Sequence, residues 1–287
     1  MRLAASTRLT AIFGDPVDHS MSPAMHNAAY ESLGIDRAYV AFRVARAELG
    51  IALRAIGPLG ILGVNLTVPH KERAAHILKN LSNEAKLLGA VNCVVNRRGA
   101  LYGDNTDARG LEKDLRALRC DLAGRLAVVI GAGGGAASTI LACIRLGAAQ
   151  IVIANRTRAR AALLARRFGK SGKKAVPIEA RGLDSLADRN LIARAAVVIN
   201  ATSMGLTTRR FTPLNFAASS DNCLFYDLVY GREPTAFMKP AAEIGRRTAD
   251  GAGMLANQGE LAFELFNRVA PPAGVMRAAL MRNLARA

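Results

Sequence analysis

A glycine-rich turn between an apolar run and a helix-like stretch constrains the fold of this chain more than any other feature. The apolar run Ala127-Val-Val-Ile130 leads into Gly131-Ala-Gly-Gly-Gly-Ala136, and an uncharged stretch follows as far as Ile144. A strand, a tight glycine turn and a helix in this order form the first half of a βαβ unit, the building block of parallel sheets. We therefore expect a doubly wound, Rossmann-type sheet in the middle of the chain, and a strand feeding a helix rather than a membrane span.

The same turn predicts a ligand. Gly131 permits the tight turn, Gly133 allows a pyrophosphate to approach the backbone, and Ala136 is small enough for close helix–strand packing. An ordinary structural turn is the alternative, because glycine patterns of this type recur in many Gly- and Ala-rich loops. The candidate dinucleotide-binding positions are Gly131, Ala132, Gly133, Gly134, Gly135 and Ala136.

The segment around this turn contains no carboxylate: residues 122–178 include neither Asp nor Glu. An acid after the second strand would hold a free ribose 2′-hydroxyl. Here the strand-like Gln150-Ile-Val-Ile-Ala154 runs into Asn155-Arg156-Thr157-Arg158, and a hydroxyl beside guanidinium groups suits a phosphate monoester. We therefore expect NADP, bound by Asn155, Arg156 and Thr157 with Arg158 or Arg160 as second cation; solvated arginines at a helix start are the alternative.

The bulk composition fits a two-domain protein with a sizeable core. The chain has 287 residues, 51% of them hydrophobic, and a formal net charge of +17, most of which lies in residues 111–250. No recognised nucleic-acid-binding motif accompanies this charge, so we expect no nucleic-acid partner. The four cysteines and four histidines show no metal-type spacing, which predicts no metal site. The N-terminus has no apolar signal core, so a soluble, cytoplasmic protein is expected.

The first hundred residues alternate between strand-like and helix-like runs. Leu9–Phe13, Ala38–Val44 and Gly60–Val68 are predicted as strands, and Cys93–Val95 with Ala100–Tyr102 as a hairpin turning at Arg98-Gly99. Helices are expected from Ser22, as an N-cap before Pro23, to Gly34; over 46–56; and from His70 to Leu78. A further helix is expected from Gln258 to Arg268. Lys71 falls in the first turn of its helix and Asp107 at the start of another. Taken alone, Lys71 is also consistent with an ordinary surface lysine, and Asp107 with a helix cap.

Nine motifs in order give the chain a specific resemblance. From about Leu9 to Phe266 it resembles the shikimate dehydrogenase family, through these segments: Gly14-Asp-Pro-Val-Asp-His-Ser-Met-Ser-Pro23, Asn65-Leu-Thr-Val-Pro-His-Lys71, Gly89-Ala-Val-Asn92, Gly103-Asp-Asn-Thr-Asp107, Gly131 to Ala136, Asn155-Arg-Thr157, Asn200-Ala-Thr-Ser-Met-Gly205, Asp227-Leu-Val-Tyr230 and Met254-Leu-Ala-Asn-Gln258.

The resemblance implies an NADP-dependent oxidoreductase that reversibly reduces 3-dehydroshikimate to shikimate, in the pathway to chorismate and the aromatic amino acids. It implies a substrate-binding catalytic domain of residues 1–107 and 252–287, an NADP-binding Rossmann domain of residues 108–251, and C-terminal helices that return to the first domain. Lys71 and Asp107 match the catalytic pair, Lys71 as proton donor and Asp107 as its orienting partner. The matched substrate-binding positions are Ser20, Ser22, Thr67, Asn92, Tyr230 and Gln258. Those that line the nicotinamide are Met204, Leu206, Gly253 and Met254, and further cofactor-binding positions are Thr202 and Leu228.

One departure from the family and several alternatives remain. Family members often carry Arg shortly after the glycine loop, where this chain has Ala137. A quinate/shikimate or aminoshikimate dehydrogenase of the same superfamily, a ligand-sensing homologue without activity, and a nucleic-acid-binding protein are the other interpretations. The sequence leaves both a monomer and a homodimer open.

Overall fold

The computed structural model describes residues 3–169, 175–204, 211 and 213–286. The chain divides into two compact units, the first comprising Met1–Gly110 and Leu255–Ala287 and the second Leu111–Met254. Each unit contains a six-stranded sheet. Within the described residues no helix is long and apolar enough to cross a membrane.

The first unit is built on a mixed sheet whose strands lie in the order β2-β1-β3-β5-β6-β4. Strands β1, β2 and β3 are parallel, whereas β5 runs antiparallel to both β3 and β6. A 3₁₀ turn, Arg46–Glu48, precedes α2. The elements are β1 (Arg8–Gly14), α1 (Ser22–Leu33), β2 (Arg37–Arg43), α2 (Leu49–Ala55), β3 (Gly63–Leu66), α3 (Lys71–Ile77), β4 (Asn80–Leu81), α4 (Asn83–Leu88), β5 (Cys93–Arg97), β6 (Ala100–Asp104) and the start of α5 (Asp107–Ala117).

Most of the predicted elements of this unit are present, with three differences. Helix α1 ends at a left-handed Gly34, as its sequence predicts. The predicted N-cap Ser22 is wrong: Met21 occupies the cap position and Ser22 is the first helical residue. The strand predicted over 60–68 is confined to Gly63–Leu66. The short α4, capped by the Ser82 hydroxyl, and the two-residue β4 are absent from the prediction.

One hydrophobic cluster of the first unit lies against one face of its sheet. Alternate residues of β1 and β3, Ala11, Phe13, Val64 and Leu66, pack with Leu49 and Leu53 of α2, as the two-residue period of a strand requires. The C-terminal helix α11 (Val275–Leu284) packs against α1, and Tyr30 lies 4.9 Å from Phe263 between ring centroids. The C-terminal helices therefore belong to the first unit, as predicted.

The second unit carries an all-parallel sheet in the order β12-β11-β10-β7-β8-β9. The chain winds outward from β7 in one direction through β8 and β9 and in the other through β10 to β12, which confirms the doubly wound Rossmann-type topology. A 3₁₀ turn spans Leu183–Ala187. The elements are β7 (Leu126–Ile130), α6 (Gly134–Arg145), β8 (Gln150–Ala154), α7 (Arg158–Gly169), β9 (Ile178–Arg181), α8 (Arg189–Arg194), β10 (Ala195–Asn200), β11 (Leu224–Asp227), α9 (Lys239–Glu243), β12 (Arg247–Ala249) and the start of α10 (Ala252–Asn267).

The central strands of this sheet are buried throughout. Every residue of β7 and β10 is buried, which is typical of a parallel sheet with both faces covered. Helix α6 follows β7 directly, so the uncharged stretch from Leu126 to Ile144 forms the predicted strand and helix. The carboxyl ends of β7, β8 and β10 meet at one edge of the sheet, where the reversal of strand order opens a crevice for a ligand.

Candidate active site

Lys71 and Asp107 form an ion pair in the first unit. Lys71 begins α3 and Asp107 begins α5, and Nζ of Lys71 donates to Oδ2 of Asp107 over 2.7 Å. The Lys71 side chain is 33% exposed and the Asp107 side chain 12%. A proton donor accessible to a ligand is therefore paired with a carboxylate that is nearly enclosed.

Asn92 fixes the other oxygen of this carboxylate. Its Nδ2 donates to Oδ1 of Asp107 over 2.7 Å, and its Oδ1 accepts from the backbone N–H of Thr106 over 2.8 Å. Nδ2 of Asn92 also lies 3.3 Å from Oε1 of Gln258. The structure thus brings together four of the predicted residues, Lys71, Asp107, Asn92 and Gln258.

A buried chain of hydrogen bonds continues behind Asn92. Nδ2 of Asn65 donates to the Asn92 carbonyl over 3.1 Å, and the Tyr39 hydroxyl donates to Oδ1 of Asn65 over 2.8 Å. Burial raises the pKa of Tyr39 well above its usual value, so this hydroxyl stays protonated as a donor. The prediction gave no role to Asn65, Tyr39 or Thr106. Asn65 and Thr106 lie inside the quoted motifs. The signal that could have identified them was a polar residue close to a buried strand.

The predicted serine pair and Thr67 lie at the carboxyl ends of β1 and β3. The Ser20 hydroxyl accepts from the backbone N–H of Ser22 over 3.3 Å, at the start of α1. Ser22 does not cap the helix; it is buried and lies beside Tyr39. Thr67 lies so close to Gly14 that a Cβ at this glycine would overlap the threonine methyl group. These side chains therefore share one edge of the first sheet with Lys71.

The glycine turn of the second unit has an open backbone. Gly131 takes a φ of 116°, and a Cβ there would lie 2.8 Å from the Thr202 methyl group, so only glycine fits. A Cβ on Gly133 or Gly134 would meet nothing within 4 Å. Helix α6 has neither a side-chain cap nor an acid in its first turn. Its first N–H groups are thus available to a phosphate, which fits the pyrophosphate of a dinucleotide.

The basic segment follows the neighbouring strand. Ile130 and Ala154 are in register, so Asn155 and the residues after it lie beside the glycine turn. Arg156 and Thr157 are exposed, and Nδ2 of Asn155 donates to the Thr157 carbonyl over 2.9 Å. Nε of Arg158 donates to the Ala180 carbonyl over 3.1 Å, while Arg160 is exposed on the first turn of α7. This arrangement fits a ribose 2′-phosphate beside the turn.

The remaining predicted cofactor-binding residues follow β10 and β11 and begin α10. The Thr202 hydroxyl donates to Oδ1 of Asn200 over 2.7 Å, and Nδ2 of Asn200 donates to the buried Asp227 over 2.9 Å. Leu228 faces the glycine turn: a Cβ on Gly135 would lie 3.1 Å from its Cδ1. Met204 packs on the core of the unit, Gly253 and Met254 lie in the first turn of α10, and Leu206 lies outside the described residues.

Gly253 is held by a buried pair that the sequence did not reveal. The Tyr226 hydroxyl donates to Oδ2 of Asp114 over 2.7 Å, and a Cβ on Gly253 would overlap Oδ1 of Asp114. Only a glycine permits this approach of α10 to α5. Tyr230 is half-buried in the same unit, and burial raises its pKa.

Comparison with known proteins shows the family of the chain. Three family models match the chain in order: the shikimate dehydrogenase substrate binding domain over residues 12–94, shikimate / quinate 5-dehydrogenase over residues 114–233, and the shikimate 5′-dehydrogenase C-terminal domain over residues 251–281. A relative from Geobacter sp. (strain M21), named shikimate dehydrogenase (NADP(+)), is 38% identical over 289 residues, which cover 99% of this chain and 98% of the relative.

Solved structures share the whole fold. Shikimate 5-dehydrogenase from Thermus thermophilus, solved with NADP(H) and shikimate, has a TM-score of 0.84 at 36% identity, and the match covers 97% of this chain and 100% of the solved one. Quinate dehydrogenase from Corynebacterium glutamicum, solved with NAD, has a TM-score of 0.87 at 28% identity, with coverages of 96% and 99%.

The fold and these matches define an NADP-dependent oxidoreductase. Within that class, the chain belongs to the shikimate dehydrogenase family, as the order of its motifs predicted.

Proposed function

We propose that Lys71 and Asp107 are the catalytic pair for the reversible, NADPH-dependent reduction of 3-dehydroshikimate to shikimate. The observation that carries this assignment is their ion pair of 2.7 Å, in which the lysine remains one-third exposed and the carboxylate is held from behind by Asn92. An ion pair that served stability alone would not require the second oxygen of the Asp107 carboxylate to be held in place as well.

The proposed role of this pair is the transfer of one proton. When bound, NADPH supplies a hydride to the carbonyl carbon. Lys71 donates a hydrogen bond to the carbonyl oxygen and gives it a proton as negative charge develops there. Asp107 orients the ammonium group before the reaction through the ion pair of 2.7 Å. In the direction of shikimate oxidation, the same nitrogen accepts the hydroxyl proton.

The substrate is proposed to bind the polar edge of the first unit. Ser20 and Ser22 carry hydroxyls at the start of α1 and are assigned to the substrate carboxylate. Thr67, Asn92 and Gln258 are assigned to the ring hydroxyls, because amide and hydroxyl groups both donate and accept. Tyr230 is assigned to the carboxylate as well.

The cofactor is assigned to the second unit. The glycine turn from Gly131 to Ala136 receives the pyrophosphate, and Asn155, Arg156 and Thr157 receive the 2′-phosphate. Arg158 uses its Nε on a backbone carbonyl, whereas Arg160 is exposed, and either can supply the second cation. Thr202, Met204, Leu228, Gly253 and Met254 are assigned to the nicotinamide end.

These assignments define the two domains that we propose: residues 1–107 and 252–287 bind substrate, and residues 108–251 bind NADP. We also propose that the protein works in the reducing cytoplasm, where its four buried cysteines stay free thiols, and as a monomer or homodimer.

A matrix of four assays tests the function. Oxidation of shikimate and of quinate is followed by absorbance of the reduced cofactor, each with NADP+ and with NAD+. We expect shikimate with NADP+ to give the highest kcat/KM by at least about tenfold. A preference for quinate or NAD+ would instead identify the quinate-oxidising branch of the superfamily, and inactivity with all four pairs would favour a ligand sensor.

A further inference from the structure

The first unit contains a second polar cleft, at the end of its sheet away from the proposed substrate site. The cleft has a volume of about 820 Å³, within the ~300–1,000 Å³ typical of small-molecule sites. It is lined by the amino ends of β1 and β2, the β5–β6 hairpin and the carboxyl end of α10. Strand β1 runs from Arg8 in this cleft to Gly14 beside the serine pair, a separation of about 20 Å at ~3.3 Å per residue.

Five arginines line this arginine cleft, and among its described lining residues Glu264 is the single acid. The arginines are Arg8, Arg37, Arg97, Arg98 and Arg268. No ion pair joins any of the five to a carboxylate in the described part of the chain. The cleft therefore concentrates positive charge that the protein itself does not neutralise.

Arg8 and Arg37 place two like charges side by side. The two residues are register partners on adjacent parallel strands, and like charges side by side on a sheet destabilise it. Among the described residues neither arginine forms an ion pair with the neighbouring Asp36, whose carboxylate accepts from the hydroxyls of Ser6 and Thr7 at 2.7 and 2.6 Å. Arg37 instead donates to the neutral amide of Asn267.

The carboxyl end of α10 explains the position of only two of the five arginines. Arg37 and Arg268 lie at the carboxyl end of that helix, where its dipole attracts cations. Arg8, at the sheet edge, and Arg97 and Arg98, on the hairpin, do not belong to a helix end. Arg97 is held with its guanidinium 4.8 Å from the centre of the Tyr102 ring. Cations thus face the cleft from the sheet edge, from the hairpin and from the helix end.

From this arrangement we infer that the arginine cleft binds a small polyphosphate, either a free phosphate chain or the phosphate tail of a nucleotide. Guanidinium groups match phosphate oxygens with paired hydrogen bonds. A chain of phosphates offers oxygens to several guanidinium groups at once, whereas a single carboxylate can pair with about one guanidinium group. Its negative charge also matches the excess of arginines over the single glutamate.

The test is calorimetric titration of the full chain with sodium tripolyphosphate at about physiological ionic strength. The protein is first saturated with NADPH and shikimate, which cannot react with each other and which keep the probe out of the cofactor and substrate sites. The variant Arg8→Gln/Arg98→Asn removes two cleft charges, and asparagine suits the left-handed φ of 54° at position 98. The matched control, Arg277→Gln/Arg282→Gln, removes two exposed arginines of α11 outside the cleft.

We expect one tripolyphosphate per chain, a Kd raised at least about tenfold in the cleft variant, and a change below about twofold in the control. Equal weakening in both variants, or no saturable binding to the parent protein, would overturn the inference.

ATP is titrated to distinguish a nucleotide from a bare phosphate chain, and citrate binding as tightly as tripolyphosphate would refute the phosphate assignment. The shikimate dehydrogenase rate should be unchanged in the cleft variant, which separates this inference from the proposed function.

Discussion

Nζ of Lys71 lies 2.7 Å from Oδ2 of Asp107 although 36 residues separate the two in the chain. Each residue begins a helix, and the rigid start of a helix fixes where its side chain can reach. The partly exposed lysine is thereby held by a carboxylate that Asn92 prevents from turning away. A proton donor oriented before the substrate arrives reduces the reorganisation needed during the reaction.

The first prediction concerns Lys71 itself. Lys71→Ala should lower kcat for shikimate oxidation by about 10²–10⁴-fold, the usual contribution of a positioned acid or base. The fold should persist, because Asp107 keeps its bond to Asn92. Steady-state kinetics and thermal unfolding measure the two effects. Lys79→Ala, at an exposed lysine just beyond α3, serves as control and should keep the parental rate; an unchanged rate in Lys71→Ala would remove the lysine from the mechanism.

The second prediction concerns Ser20. Among the described residues its hydroxyl makes one weak contact, at 3.3 Å, to the Ser22 backbone, so replacing it should not disturb α1. Ser20→Ala should raise the KM for shikimate about tenfold or more, the effect of losing one hydrogen bond to a charged group, and leave the KM for NADP+ unchanged. Ser32→Ala, near the end of the same helix, is the control. A rise in the KM for NADP+ alone would show that the serine has been assigned to the wrong ligand.

The third prediction separates the arginines of the proposed 2′-phosphate site. Arg156→Ala should raise the KM for NADP+ about tenfold or more and leave that for NAD+ nearly unchanged, because only NADP+ carries the extra phosphate. Parallel measurements on Arg158→Ala and Arg160→Ala identify the second cation. Arg189→Ala removes an exposed arginine on α8 as a charge control. Equal effects of Arg156→Ala on both cofactors would refute the assignment of the 2′-phosphate to this segment.

The fourth prediction is a pH dependence of stability that arises from His26. This imidazole is fully buried, stacks on Tyr39 with ring centroids 4.1 Å apart, and finds no hydrogen-bond partner for either nitrogen among the described residues. Burial lowers its pKa from 6.5 to about 3. Between these two values the unfolded chain binds a proton that the folded chain does not, so the free energy of unfolding falls as the pH falls, by about 1.4 kcal/mol per pH unit.

Urea unfolding at a series of pH values between the two pKa values, on the acid side of neutrality, measures this slope. His26→Phe keeps an aromatic ring on Tyr39 but cannot titrate, so its stability should fall less steeply by about 1.4 kcal/mol per unit. His26→Leu is a second variant in case the larger ring does not fit. The exposed His76→Asn should retain the parental slope. Parallel slopes for the parent and both His26 variants would mean that this histidine is not what limits stability in acid.

The sequence predicted the elements but not the contacts between them. The strands around the glycine turn were predictable because a buried parallel strand is a continuous apolar run and Gly131 needs a φ that other residues avoid. By contrast, α4 and β4 span six and two residues, too few to show a period. Serine before proline is usually a helix cap, but Ser22 lies one position inside α1 and is buried beside Tyr39. A neighbour seventeen positions along the chain cannot be predicted from the local sequence.

The last prediction uses two glycines of the turn as a contrasting pair. Gly131→Ala should destabilise the second unit, because its φ of 116° is strained for alanine and the new methyl group would lie 2.8 Å from Thr202. Gly133→Ala places its methyl group in open space at a φ of −103°, which alanine adopts freely. Its effect should therefore fall on the pyrophosphate, with the KM for NADP+ raised about tenfold and Tm unchanged. Gly169→Ala, also in open space but at the end of α7, should change neither quantity. A Gly133→Ala enzyme with parental affinity for NADP+ would show that the pyrophosphate does not approach the backbone at this glycine.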